Sequence, residues 1–306
     1  MVQKLLFVSN IAGTKAIDSF SYSSFLAARD LGFEFHVAAN YARLSYESKR
    51  TAEERYGVRI HHIDLDRSPY SAKNMRAYQQ LVKLIKEEGI EFIHCNTPTG
   101  GLLGRMAGKK CGVKRVIYQA HGFHFYKGAP LVNWLVYYPV ERWLARHTDA
   151  LITINKADYD LAVRRFRLRN QGKVYYVPGV GVDVDRFRRQ TVERDLLRRS
   201  FGVGPKDIML ITMGELVVGK NYQVAIEAVA RAKLPHLKYV ICGNGPDLER
   251  LKRIAETLGV SSQVIFLGYR SDIKELLEVA DIFLFTSLRE GLPRSMMEAM
   301  ASGLPC

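Results

Sequence analysis

Glu290 and Glu298 lie in the segment Ser-Leu-Arg-Glu-Gly-Leu-Pro-Arg-Ser-Met-Met-Glu-Ala-Met-Ala-Ser-Gly, residues 287–303, with seven residues between them. Glu290 falls in a loop after the apolar run Ile282-Phe283-Leu284-Phe285. Glu298 falls on a short helix that Pro293 can open and Gly303 can close. A strand, a tight loop at Gly291-Leu292 and a helix start make an anion site, because free backbone N–H groups point out of the first turn. Carboxylates beside such a site do not bind phosphate, but they accept hydrogen bonds from sugar hydroxyls. A phosphate cradle flanked by two hydroxyl acceptors suits a sugar nucleotide. The plain alternative is a helix with two solvated glutamates. The contexts Glu-Gly-Leu-Pro and Glu-Ala-Met-Ala-x-Gly-x-Pro favour the ligand-binding reading.

Further groups fall at the ends of apolar runs. Gly214-Glu215-Leu216 and Gly219-Lys220-Asn221 form a strand-to-helix turn in which Lys220 adds a point charge to the helix start. Arg294, in the first turn of the Glu298 helix, can make a forked phosphate contact. Gly243-Asn244-Gly245-Pro246 ends a strand and opens a helix; without a third glycine it is no dinucleotide loop, and a turn-forming role stands beside a ligand-contacting one. His121 ends the strand-like run 116–121 and His124 follows it; a lone histidine is more often structural, and a place at a strand end favours the functional reading. Asp64-Leu65-Asp66 and Asp183-Val184-Asp185 have the spacing of a divalent-metal pair; the second reads as a turn, and no metal or organic cofactor is expected.

The elements that must position these groups alternate. Strand-like runs cover 5–10, 35–40, 58–64, 92–95, 116–121, 151–155 and 174–178, then 209–214, 239–243, 264–268 and 282–287, with helical patterns between them. Apolar strands alternating with helices predict doubly wound parallel sheets. At 306 residues the chain suggests two domains, which the polar segment 183–206 divides into 1–185 and 186–306. The end, Leu304-Pro305-Cys306, reads as the entrance to another strand, so the second domain is expected to be incomplete, with an exposed apolar edge near 282–306.

Charge is uneven. Of the 45 basic and 31 acidic residues, 30 and 17 fall through Gln190, so nearly all of the net +14 belongs to the first part. Candidate partners of such a surface are nucleic acid, an anionic membrane or a phosphorylated substrate. No helix-turn-helix, zinc-finger or RNP-like pattern favours nucleic acid. Residues 123–147 interleave Phe123, Phe125, Tyr126, Trp134, Tyr137, Tyr138 and Trp143 with Lys127, Arg142 and Arg146. Amphipathic aromatics among bases suit a membrane interface, and equally an aromatic packing helix. No run approaches the ~20 apolar residues of a spanning helix. Cys95, Cys111, Cys242 and Cys306 have no metal spacing and read as reduced thiols of a cytoplasmic protein.

The Glu-x7-Glu spacing, the Gly-x-Gly-Pro turn and Pro178-Gly-Val-Gly-Val-Asp183 resemble retaining glycosyltransferases of family 4. Residues 121–130, His-Gly-Phe-His-Phe-Tyr-Lys-Gly-Ala-Pro, resemble its capsule and exopolysaccharide branch. The resemblance implies the GT-B fold, two doubly wound domains facing a central cleft. It implies that Glu290 contacts the donor sugar and Glu298 the ribose, and that Lys220 meets the donor diphosphate. By the same resemblance Gly214, Asn221, Gly243, Gly245, Gly291, Leu292 and Arg294 line the donor site, Leu267 borders the base, and His121 approaches the sugar. Gly13 and Thr14, with His124, fall on the acceptor side. Glu215 departs from the arginine usual there. The implied activity is transfer of a hexosyl or N-acetylhexosaminyl group from a UDP-sugar to a lipid-linked or oligosaccharide acceptor at the inner face of the cell membrane. A sugar-nucleotide epimerase and a non-catalytic binding subunit are the rivals.

Overall fold

A computed structural model describes residues 2–10, 17, 21–179, 181–187 and 193–306. The chain divides into two compact units, Met1–Val180 and Gly181–Cys306. Gly13 and Thr14 lie outside the described residues.

In the first unit the strands are β1 (Lys4–Val8), β2 (Glu34–Ala39), β3 (Arg59–His62), β4 (Phe92–Asn96), β5 (Arg115–Ala120), β6 (Ala150–Thr153) and β7 (Lys173–Tyr176). They form one sheet of order β3-β2-β1-β4-β5-β6-β7, and every pairing is parallel. Leu5-Leu6-Phe7-Val8 shows why: each residue is buried, as a parallel strand covered on both faces requires. Helices α1 (Tyr22–Asp30) and α2 (Tyr46–Tyr56) cover the face of Leu5, Phe7, Phe35 and Val37. Helices α3 (Lys73–Glu88), α4 (Pro98–Cys111), α5 (Leu131–Ala145) and α6 (Lys156–Arg165) pack on the face of Leu6, Val8, Ile93, Val116 and Tyr118. The chain reverses its winding between β1 and β4, and the ends of β4 and β5 adjoin that switch point.

Helix α5 is fixed by its inner face. Arg105 of α4, 1 % exposed, holds Glu141 of α5 through two bonds of 2.8 and 2.9 Å and stacks 3.8 Å above the Tyr118 ring. Burial disfavours the charged guanidinium, but Glu141 beside it raises the Arg105 pKa on balance. Removing one partner of such a buried pair costs about 3–5 kcal/mol. Trp134, Tyr137 and Tyr138 pack inward on the same core. The aromatics of 123–147 that suggested a membrane interface are therefore mostly core residues, and Phe123 and Phe125 are buried too.

The second unit has β8 (Ile208–Met213), β9 (Leu237–Cys242), β10 (Val264–Gly268) and β11 (Ile282–Phe283), all parallel in the order β10-β9-β8-β11. Helices α7 (Val184–Phe187), α8 (Arg194–Arg199), α11 (Ile273–Val279) and α12 (Arg294–Ala301) share one core. Helices α9 (Tyr222–Ala232) and α10 (Leu248–Thr257) share the other. The sequence places the boundary at 185/186, inside α7; the division falls before α7, because Val182 and Phe187 pack on the second unit's core.

Two expectations near the end of the chain are corrected. The strand expected over 282–287 pairs with β8 at Ile282 and Phe283, with one more bond from Leu284 N–H to the Ile211 carbonyl. Beyond that Thr286 and Leu288 turn away to bond another loop. The apolar edge is also less open than expected. Phe283 donates its N–H to the Pro305 carbonyl at 2.8 Å, and both Phe283 and Leu304 are buried.

Candidate active site

Three loops leave the carboxyl ends of β8, β9 and β10, and their backbones are stitched together. Gly214 N–H donates to the Cys242 carbonyl at 3.0 Å, Leu216 N–H to Asn244 at 2.9 Å, and Gly243 N–H to Gly268 at 2.7 Å. A Cβ on Gly243 would stand 1.9 Å from the Gly214 carbonyl oxygen, and one on Gly245 would stand 2.3 Å from that of Leu216. Both glycines are needed for this close approach, which gives the Gly-Asn-Gly-Pro turn a definite packing role. Burial pushes the Cys242 thiol beneath it up to about 12. At the end of β10 the register shifts between Phe266 and Gly268, and Leu267 packs against the core of α11 and α12.

The loop after β11 docks on the β8–α9 loop. Thr286 donates its hydroxyl to the Lys220 carbonyl at 3.1 Å, and Leu288 donates its N–H to the Gly219 carbonyl at 3.0 Å. These bonds bring residues far apart in sequence together: Lys220 Nζ donates to Glu290 Oε1 at 2.5 Å and lies 6.0 Å from the Phe285 ring centroid. Asn221, in the left-handed region at φ 54°, turns the chain into α9. Tyr222 follows; burial, then the charge of Glu290, raises its hydroxyl above the ordinary range.

Pro293 caps α12, and Glu298 is buried on its second turn. Arg294 Nε donates to Glu298 Oε1 at 2.8 Å, so this arginine has a partner within its own helix. Gly291 is exposed and Leu292 half-buried, in the approach to the helix start. Lys220, Glu290, Arg294 and Glu298 thus form two cation–carboxylate pairs around one helix start. Glu215 is exposed on the neighbouring loop.

In the first unit, His121 Nε2 lies 2.8 Å from Asn96 Oδ1, which sets the ring as the donor. Asn96 is fully buried, and its Nδ2 has no partner among the described residues; the same holds for His94 Nε2. Burial, and then the charge His121 can carry, pushes His94 down to about 4. Thr97 follows with φ 65°, an uncommon conformation for a β-branched residue, and its hydroxyl accepts the Asn10 N–H at 3.2 Å. His124 is exposed and stacks on Tyr137 of α5 at 4.7 Å between centroids.

Sequence reading missed the groups that hold this loop. Asp158, buried at the start of α6, accepts the Phe123 N–H and Asn155 Nδ2, both at 2.8 Å. Its signal was Asn155 three residues before it, an N-cap accepting the Asp158 N–H. Asn96 and His94 carried no local signal. The Asp-x-Asp triplets have structural partners: Asp64 takes Gln80 and Arg76, Asp66 takes Ser68 and Ser71, and Asp183 accepts the Arg186 N–H.

Residues 25–179 match the glycosyl transferase 4-like domain, and residues 193–306 match glycosyl transferases group 1. The putative glycosyltransferase EpsD of Bacillus subtilis is 39% identical across all of this chain, which spans 78% of that protein. The UDP-Gal:alpha-D-GlcNAc-diphosphoundecaprenol alpha-1,3-galactosyltransferase of Escherichia coli is 30% identical over 76% of this chain and 61% of its own length. Among solved structures, HepE of Anabaena in complex with UDP and glucose superposes with a TM-score of 0.76 at 19% identity, over 99% of this chain and 79% of that one. WaaG, a glycosyltransferase involved in lipopolysaccharide biosynthesis, gives 0.71 at 16% identity over 98% and 79%. Two units, each built on a parallel doubly wound sheet, are those of a GT-B fold. The chain belongs to the family 4 glycosyltransferases. No helix among the described residues is long and apolar enough to cross a membrane.

Proposed function

We propose that the protein is a retaining glycosyltransferase that moves a hexosyl or N-acetylhexosaminyl group from a UDP-sugar to a lipid-linked or oligosaccharide acceptor, in surface-polysaccharide synthesis at the inner face of the membrane. The observation that carries this reading is the docking of the Glu290 loop on the Lys220 loop, which sets the Lys220 ammonium and the Glu290 carboxylate 2.5 Å apart beside the start of α12. The E. coli relative, by its name, takes UDP-Gal to a diphosphoundecaprenol acceptor, and HepE is a complex with UDP and glucose. Both support the choice of donor and acceptor class.

In this reading the bond from the sugar's anomeric carbon to the diphosphate breaks, and the bond from that carbon to the acceptor oxygen forms on the same face. The acceptor's proton passes to a leaving phosphate oxygen. The protein's task is electrostatic: Lys220, the N–H groups that open α12 and Arg294 stabilise the departing charge. Glu290 and Glu298 accept hydrogen bonds from the sugar and ribose hydroxyls. Gly214, Asn221, Gly243, Gly245, Gly291 and Leu292 shape the donor loops, and Leu267 borders the base. His121 serves the sugar; Gly13, Thr14 and His124 serve the acceptor side. The reading assigns no metal or organic cofactor.

The test is transfer from labelled UDP-glucose, UDP-galactose and UDP-N-acetylglucosamine to polyprenyl-diphosphate sugars and free oligosaccharides, with the product's anomeric configuration read by proton coupling. An α-linked product from an α-linked donor is expected. An inverted product, or an epimerised donor with no transfer, would overturn the reading.

A further inference from the structure

Helix α5 carries an apolar outward face that nothing among the described residues covers. Leu131, Leu135 and Val132 are 73%, 69% and 59% exposed, and Val136, Pro139 and Val140 are exposed with them. Helical spacing puts these residues on one arc, opposite Trp134, Tyr137, Glu141 and Leu144. The inner face is anchored by the Arg105–Glu141 pair and the aromatic core, so the outer face is not held out by a loosely packed helix.

The same arc ends in charge. Arg142 and Arg146, four residues apart, continue it, and with Arg167 beyond α6 they line a pocket of about 140 Å³. None of the three guanidinium groups has a hydrogen-bond or ion-pair partner among the described residues. The carboxylates nearby in sequence are engaged elsewhere: Glu141 by Arg105, Asp160 by Lys156 and Asp149 by Arg169. Close to the same helix end, Lys109 Nζ lies 5.8 Å from the Trp143 ring centroid. Three guanidinium groups meeting without a carboxylate repel one another unless an anion sits between them, and forked donors suit phosphate oxygens.

We propose that α5 is a membrane-docking element: Leu131–Val140 lie in the bilayer interface while Arg142, Arg146 and Arg167 clasp the phosphate of an anionic lipid headgroup. An apolar helix face with a basic end is what an interfacial helix presents to an anionic leaflet. The excess of basic residues in the first part of the chain complements the same surface. The inference rests on the membrane part of the reading above and gives it an address: the aliphatic arc of α5 and three arginines, not the aromatics that the sequence brought forward.

The test compares the chain with two variants, R142Q/R146Q/R167Q and L135S/V136S, whose altered residues are all exposed. Partitioning is measured on phosphatidylcholine vesicles with and without phosphatidylglycerol, at low and high salt. UDP affinity and the melting curve report on the rest of the molecule. The arginine variant is expected to lose on the order of 100-fold in binding to anionic vesicles at low salt, at about one unit of surface attraction per arginine. The serine variant is expected to lose on the order of tenfold on both lipid mixtures. UDP binding and melting stay at wild-type values. Unchanged partitioning of the arginine variant overturns the proposal. So does binding of inorganic phosphate by the wild type, abolished in the arginine variant while vesicle binding persists, because the pocket would then serve a free anion. If the unaltered chain ignores anionic vesicles, the membrane part of the reading falls with this inference, and sugar transfer, assayed separately, stands or falls on its own product.

Discussion

Around α12 each cation rests on a carboxylate, Lys220 on Glu290 and Arg294 on Glu298. Around the ends of β4 and β5 no carboxylate pairs with the polar groups described: a histidine donates to a buried asparagine, and two buried nitrogens, Asn96 Nδ2 and His94 Nε2, have no partner among the described residues. The two regions solve different problems. In the proposed reading α12 receives a diphosphate, which needs cations held in place without a large unbalanced charge, and Glu290 and Glu298 hold them. In the same reading the ends of β4 and β5 meet a neutral sugar or hydroxyl, which needs fixed dipoles. There burial does the fixing, at the expense of polar atoms left unmatched.

Four perturbations would break or sharpen this contrast. The largest effect is expected from Lys220→Ala. Removing a cation that stabilises developing charge lowers turnover by roughly 100- to 1000-fold, with a much smaller change in melting. Steady-state transfer and calorimetric melting decide it; near-normal turnover with a large loss of stability would make the Lys220–Glu290 pair structural.

The second lies at the ends of β4 and β5. His94 is held near 4 in the folded protein against an ordinary value of 6.5. Between those values the unfolded chain takes up the proton and the folded one does not, so stability falls as pH falls, by up to about 3 kcal/mol at pH 4. His61, also pushed down to about 4 by burial and then by His36, adds a contribution of the same sign. Urea unfolding of the wild type and His94→Gln across this window should show a shallower slope in the variant. Parallel slopes would mean that His94 is hydrated.

The third concerns Glu298→Ala, which should weaken UDP binding by ~10- to 100-fold through loss of a charged acceptor. Arg294 would at the same time be released from its carboxylate, so the loss should shrink at low salt, where the freed guanidinium attracts the diphosphate more strongly. Titration calorimetry at two salt concentrations reads both; an unchanged affinity in a folded variant would remove the ribose assignment.

The smallest effect is expected from Glu215→Arg. This side chain is exposed, so reversing its charge should strengthen UDP binding only by about 2- to 5-fold, again salt-dependent. A gain much larger than that would show that the β8–α9 loop lacks a cation which the paired Lys220 and Arg294 do not replace.

Much of the fold was legible along the chain because parallel strands buried on both faces are unbroken apolar runs, and Leu5–Val8 and Tyr239–Cys242 announce themselves. Strand ends were less legible. Leu284 and Phe285 continue the apolar pattern of β11, yet Thr286 and Leu288 bond the Gly219–Lys220 loop, and no local signal marks that exchange. Glycine positions were visible, but the reason for Gly243 and Gly245 was not, since the backbone they make room for lies about thirty residues earlier.

The sequence by itself determined the alternation of strands and helices, the Glu-x7-Glu carboxylates, the lysine at the start of α9 and the concentration of positive charge in the first part of the chain. Local residue types and spacing are enough for those. Tertiary structure decided which charges meet: Lys220 with Glu290, Asp158 with the Phe123 N–H, His121 with Asn96. It also decided which way α5 faces. That helix is apolar almost all round, so its periodicity names no inner side. The one internal charge it carries, Glu141, is drawn to Arg105 of α4, and this turns the aromatics into the core and Leu131, Leu135 and the two terminal arginines outward.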